Sequence, residues 1–158
     1  MTRVQPWLGA VVVLALACGH RSSPVAPELI HPKPPADVVA TAMPGGVQLR
    51  WARPTQYTSG KRMRDLDGFV VERAPDEGRA PVFAEVGTIH LDDRYRFQQT
   101  RRVEWLDADA TDGQRYLYRV SALTLDGYRS APAGPVSIDF RRPAAAPPTP
   151  KSTTGAPK

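Results

Sequence analysis

Cys18 is the only cysteine in the 158-residue chain, and it directly follows an eleven-residue apolar run, Trp7 to Ala17, that is preceded by a short stretch carrying Arg3. A disulfide needs two cysteines, so a lone one beside an export signal needs another explanation, and covalent lipidation supplies it. The alternatives are an ordinary signal peptide cut a few residues away, which leaves a free thiol, and an uncleaved anchor. Other chemistry is poorly provided for. Of three histidines, His20 and His31 lie in a proline-rich stretch, and only His90 falls in the segment expected to fold. With Cys18 acylated no free thiol remains, no glycine-flanked serine sits on a strand-to-helix elbow, and zinc lacks ligands. Asp107-Ala108-Asp109-Ala110-Thr111-Asp112-Gly113 comes nearest to a metal loop. Its glycine falls one place late for a calcium loop and the downstream glutamate is missing, so no metal site is assigned. No catalytic residue and no cofactor beyond the lipid on Cys18 are expected.

A positive start, an apolar run of this length and a small residue at its end are the features of a secretory signal. The run is too short to span a bilayer, which takes roughly 20 apolar residues. Leu14-Ala15-Leu16-Ala17-Cys18 resembles the lipobox of bacterial lipoproteins. That resemblance implies cleavage before Cys18, acylation of its sulfur, and a signal peptide over residues 1–17. Gly19 after the cysteine resembles lipoproteins sorted to the outer membrane, which implies a cell-envelope location on its periplasmic face or at the cell surface.

The 141 residues from Cys18 onward suffice for one domain with flanks. Residues 18–36 carry Pro24, Pro27, Pro32, Pro34 and Pro35, and residues 141–158 carry Pro143, Pro147, Pro148, Pro150 and Pro157. Such stretches bury too little apolar surface to offset ordering entropy and are expected to be disordered arms, each reaching roughly 50 Å. Between Asp37 and Phe140 there are 14 Lys plus Arg against 15 Asp plus Glu, a net of −1, so the positive excess lies in the arms. A nucleic-acid-binding domain carries a basic face of its own, so no nucleic-acid partner is expected. Basic arms beside a lipid anchor fit attraction to anionic lipid or cell-wall polymer, or simply solvation of the tails.

Residues 37–140 read as strands throughout. Val47, Leu49 and Trp51 alternate with Gln48, Arg50 and Ala52, a period of two that turns one face inward. Further strands are predicted near Val38 to Ala42, Phe69 to Arg73, Val82 to Ile89, Arg102 to Leu106, Tyr116 to Ala122 and Pro135 to Phe140. Gly45-Gly46, Asp76-Glu77-Gly78 and Asp126-Gly127 mark turns. No stretch holds an apolar stripe at helical spacing, and seven short strands between turn signals predict an all-β, seven-stranded antiparallel β-sandwich. Phe69, Val71, Tyr116, Tyr118 and Val120 are core candidates beside Trp51.

Taken in order, several segments resemble the fibronectin type III domain, of the immunoglobulin-like class. They are Pro35-Ala36-Asp37-Val38, Val47-Gln48-Leu49-Arg50-Trp51, Asp67-Gly68-Phe69-Val70-Val71-Glu72-Arg73, Phe83-Ala84-Glu85-Val86, Trp105-Leu106-Asp107, Gly113-Gln114-Arg115-Tyr116-Leu117-Tyr118-Arg119-Val120-Ser121-Ala122 and Gly127-Tyr128-Arg129-Ser130-Ala131-Pro132. The likeness covers Pro34 to Phe140, about two thirds of the chain. It implies that Trp51 fills the space between the sheets, and that the Tyr116 hydroxyl holds the preceding turn by a backbone hydrogen bond. Two loops are longer than the family's pattern, Arg53 to Asp67 and His90 to Arg101, and the Arg-Gly-Asp triplet of the cell-adhesive members is absent from the sequence.

Function in such sandwiches resides in loops and exposed faces. Tyr57, Lys61, Arg62 and Arg64 in the first long loop, and Arg94, Tyr95 and Arg96 in the second, are types enriched at binding hot spots. The chain therefore reads as a non-catalytic, lipid-anchored binding or adaptor module for another envelope protein. A structural spacer that associates with membrane or cell-wall polymer through its anchor and arms is the alternative, and a carbohydrate-binding module ranks third. The oligomeric state is not encoded in any motif.

Overall fold

Alternating apolar and polar side chains generate seven strands, with no helix among the described residues, which in the computed structural model are 30–92 and 102–144. The expectations for residues 1–17, Cys18, Arg94, Tyr95, Arg96 and the tail beyond residue 144 lie outside the described residues. The strands are β1 (Ala36–Met43), β2 (Gly46–Ala52), β3 (Leu66–Pro75), β4 (Ala84–His90), β5 (Arg102–Asp107), β6 (Arg115–Thr124) and β7 (Ala133–Asp139). All pair antiparallel, in a three-stranded sheet of order β1-β2-β5 and a four-stranded sheet of order β4-β3-β6-β7.

The inward set of each strand follows the pleat. Val47, Leu49 and Trp51 of β2 meet Phe69 and Val71 of β3 and Tyr116, Tyr118, Val120 and Ala122 of β6, all buried. The Trp51 and Phe69 rings pack edge to face, their centroids 5.3 Å apart. At the open side of the sandwich Trp105 of β5 lies against Gly87 of β4. A Cβ on Gly87 would fall 2.5 Å from the indole, so a bare backbone lets one side chain close the gap between the sheets.

Most strands run a residue or more beyond their expected bounds, β3 for example from Leu66 to Pro75, and two are displaced. β4 begins at Ala84 rather than Val82, because its pairing with β3 starts at Arg73 and Ala84 and leaves Val82 82% exposed. β7 ends at Asp139, and Phe140 turns into the core beyond it. Pro135 lies within β7, on an edge of the four-stranded sheet and at an irregularity in its pairing with β6, where a missing N–H is tolerated.

The domain also begins earlier than residue 37. Ile30 to Pro35, assigned from composition to the N-terminal linker, form a strap on the β2–β3 loop. The Lys33 N–H donates to the Gln56 carbonyl at 3.0 Å and the Thr58 N–H to the His31 carbonyl at 2.9 Å. Pro32 and Pro35 are buried. Proline content predicts a linker only where nothing covers the rings, and here Pro32 is buried at its bridge with Tyr57 of the loop. At the other terminus Arg142, assigned to the tail, is fixed as well: its backbone N–H donates to Asp112 Oδ1 at 2.6 Å and its guanidinium to the Pro44 carbonyl at 2.6 Å.

Replacing Trp51 with alanine removes the ring on which both sheets pack and is expected to cost about 3–5 kcal/mol. Urea unfolding monitored by far-ultraviolet circular dichroism measures this directly. An unchanged midpoint would contradict the assignment of Trp51 to the centre of the core.

Candidate functional site

The β2–β3 loop is a small hairpin rather than an open insertion. Gln56 and Arg62 form an antiparallel bridge, the Met63 N–H donates to the Thr55 carbonyl at 2.8 Å, and the Tyr57 N–H donates to the Lys61 carbonyl at 2.9 Å. Gly60 closes the turn at a φ of +82°, where other residues are strained. Met63, between the exposed Arg62 and Arg64, is buried in the core and roots the hairpin there. Gln56 is also committed, since it accepts from Lys33 Nζ at 2.8 Å.

The β6–β7 turn and the strap complete this end of the sandwich. The Leu125 N–H donates to the Asp65 carbonyl at 2.9 Å. His31 reaches the Arg129 carbonyl through Nδ1 at 2.8 Å, and its ring stands edge-on to Tyr128. A recess of about 280 Å³ opens between the three segments, lined by Ile30, Tyr57, Lys61, Asp65, Asp126 and Tyr128, among others. The Tyr57 hydroxyl donates to Asp65 Oδ1. Burial, followed by that hydrogen bond and the charges of Asp65 and Asp126, pushes the Tyr57 phenol up to about 12. Beside the hairpin, His90 Nδ1 meets Asp67 Oδ2 at 2.8 Å and Leu91 is buried, so the second long loop starts at the same end.

Of the loop residues singled out from sequence, the structure thus brings Tyr57 and Lys61 to one recess. Lys61, Arg62 and Arg64 are exposed, and their side chains enter no ion pair among the described residues. Most arginines elsewhere are neutralised. Arg50 pairs with Glu104, Arg79 with Glu77 and Arg141 with Asp139, while Arg119 and Arg129 share Glu72. The Arg119 guanidinium also lies 4.1 Å from the centre of the Phe83 ring. Hydrogen bonding from Arg119 is the main reason the Glu72 carboxyl sits below the usual carboxylate range.

At the opposite end is a polar cluster that sequence reading did not assemble. Asp107, last residue of β5, turns its carboxylate into the interior and is 3% exposed. Its Oδ2 accepts from Arg73 of β3 and from the Tyr118 hydroxyl of β6, each at 2.7 Å, and its Oδ1 accepts from the Asp109 N–H at 3.1 Å. Burial and the Asp107 hydrogen bond push the Tyr118 phenol far above its ordinary value. The Arg73 guanidinium lies 4.9 Å from the centre of the Tyr116 ring, whose hydroxyl accepts from the Thr111 N–H at 3.1 Å. The carboxylates of the Asp107–Gly113 loop thus face different partners, with Asp107 on Arg73 and Asp112 on the Arg142 backbone. Alternation carried the missed signal, since Asp107 shares the inward parity of Val103 and Trp105.

No family model matches the chain. No curated protein matches it. Among solved structures it is similar to the twitchin kinase region from C. elegans, at 15% identity and a TM-score of 0.51, over 75% of this chain and 18% of that one. The chain therefore spans less than a fifth of the twitchin chain's length. It is also similar to module A71 of titin from human cardiac muscle, at 22% identity and a TM-score of 0.50, over 72% of this chain and 97% of the module. At these identities the likeness concerns fold alone. The chain carries a fibronectin type III/immunoglobulin-like β-sandwich.

The raised Tyr57 value has a definite sign. The unfolded phenol loses its proton near pH 10, roughly its ordinary value, while the folded one keeps it to about 12. The contribution to stability is present below pH 10 and is lost as pH rises through about 12. Tyr57→Phe should flatten that part of the alkaline stability profile, and a tyrosinate absorbance titration should lose one late-titrating group. A titration unchanged by the substitution would contradict the Tyr57–Asp65 contact.

Proposed function

We propose that this protein is a non-catalytic, lipid-anchored component of the bacterial cell envelope that uses the hairpin end of its sandwich as a binding or adaptor face for an acidic partner there. The observation that carries the reading is the set of cations at Lys61, Arg62 and Arg64, held on a hydrogen-bonded hairpin with no ion pair among the described residues. Unpaired guanidinium groups on a rigid support suit carboxylate or phosphate acceptors, because little side-chain entropy and no existing ion pair must be given up on binding. The Tyr57 ring, half-buried behind them, adds an amphipathic wall. The lipid anchor rests on the lipobox-like sequence ending at Cys18.

The spacer reading draws support from a separate observation. The strap enters at the hairpin end, whereas Arg142 holds the start of the tail against Pro44 and Asp112 at the other. A domain with its arms at opposite ends can bridge two layers. In that case the tail rather than the hairpin carries the association.

Both parts are open to test in cells. Intact mass of the membrane fraction should show an acyl addition that disappears in Cys18→Ser, with the variant released from the membrane. A photo-crosslinker at Ser59, beside the cations, should capture an envelope component, and Arg62→Glu with Arg64→Glu should abolish the adduct. Retention of the adduct in that double variant, together with loss of envelope association on removing residues 145–158, would favour the spacer instead.

A further inference from the structure

The strap determines which end of the domain a tether from Cys18 can present to a membrane. Pro32 is buried and forms a bridge with Tyr57, and His31 and Lys33 are hydrogen-bonded to the hairpin, so the chain leaves the domain beside Tyr57 and Tyr128. From Cys18 to Ile30 there are twelve residue steps. An extended proline-rich chain of that length reaches about 37 Å at about 3.1 Å per residue. The sandwich is about as long: β6 alone has ten residues, and a strand of that length measures roughly 33 Å. Presenting the far end to the bilayer would require the tether to run almost fully stretched back along the domain. Presenting the hairpin end requires no such extension.

The chemistry at that end suits the surface it would meet. Residues 54–65 carry Lys61, Arg62 and Arg64 against the single carboxylate of Asp65, and Asp65 is occupied by the Tyr57 hydroxyl. Asp126 lies in the recess, and Asp67 is engaged by His90. Lys33 adds a further exposed cation from the strap. The neighbouring β6–β7 turn exposes Leu125 at 54% and Tyr128 at 36%, apolar groups suited to the headgroup boundary. An acidic protein would match the cations equally well, but the short tether favours the bilayer itself.

We propose that the hairpin end docks on the anionic headgroups of the membrane that holds the anchor, with Lys61, Arg62 and Arg64 as the contacting cations and Leu125 and Tyr128 at the boundary. The domain then stands with its strap toward the lipid and Arg142 at the opposite end. This proposal rests on the lipid-anchor reading and names the partner of the same hairpin.

The test uses residues 18–158 carrying Cys18→Ser, so that no acyl chain contributes, and co-sedimentation with vesicles. Vesicles of phosphatidylcholine alone are compared with vesicles containing phosphatidylglycerol. Binding is expected only to the anionic vesicles and should weaken with added salt. Lys61→Gln, Arg62→Gln and Arg64→Gln together should lower it on the order of 100-fold, with an unchanged melting transition as the folding control. Lys151→Gln with Lys158→Gln should leave it nearly as it was. Equal binding by the triple variant, equal binding to neutral vesicles, or loss only in the tail variant would overturn the proposal. So would a hairpin that crosslinks to an envelope protein while the triple variant still binds vesicles as the parent does. Absence of an acyl mass on Cys18 in cells would instead overturn the anchor reading, a result independent of the vesicle measurement.

Discussion

A single buried carboxylate ties the two sheets together. Asp107 ends a strand of the three-stranded sheet, and its acceptors receive hydrogen bonds from Arg73 and Tyr118 of the four-stranded sheet and from the backbone of its own turn. A charge in that position is costly to desolvate, and removal of either partner would leave a polar group buried and unsatisfied. The cluster therefore tolerates few arrangements. It holds the end of β5 against the β3–β6 pair and anchors the start of the β5–β6 turn, which the Tyr116 hydroxyl also holds. Between this cluster and the hairpin end the core is apolar, organised on Trp51 and Phe69.

That division gives the two ends different characters. At the Asp107 end the buried carboxylate is satisfied internally, and Arg142 closes it by donating to carbonyl and carboxylate oxygens. At the hairpin end the backbone is as well bonded, yet Lys61, Arg62 and Arg64 at its surface enter no ion pair among the described residues. A rigid support carrying unneutralised charge is the arrangement expected of a contact face, whereas neutralised charge is expected of a surface that only needs solubility. The strap lies on this face, so the point where the chain enters the domain and the position of the charge are set by the same residues.

Much of the fold was legible because its signals are local. Alternation in β2 and β6 placed Trp51, Tyr116, Tyr118 and Val120 on the inward faces without knowledge of their partners, and turn dipeptides such as Asp126-Gly127 separated the strands. The strap was not legible. Its prolines have the composition of a linker, and they become ordered only because the β2–β3 loop folds over them, a non-local event that no window of sequence reveals. The burial of Met63 is hidden for a related reason, since one apolar residue among Lys61, Arg62 and Arg64 carries no periodicity. The Asp107 cluster lay between: parity pointed the carboxylate inward, but its partners come from strands 34 and 11 residues away. The candidate site is thus half visible in sequence, its cations evident and their rigid mounting hidden.

The central claim is that the strap turns the hairpin end toward the membrane. The most direct measurement uses the acylated protein in vesicles that carry a lipid-borne quencher. A fluorophore is attached through a cysteine introduced at Ser59 on the hairpin in one sample, and at Arg79 at the far end in another. The account predicts strong quenching at position 59 and little at position 79. Equal quenching at the two positions, or stronger quenching at 79, would show that the strap does not set the orientation.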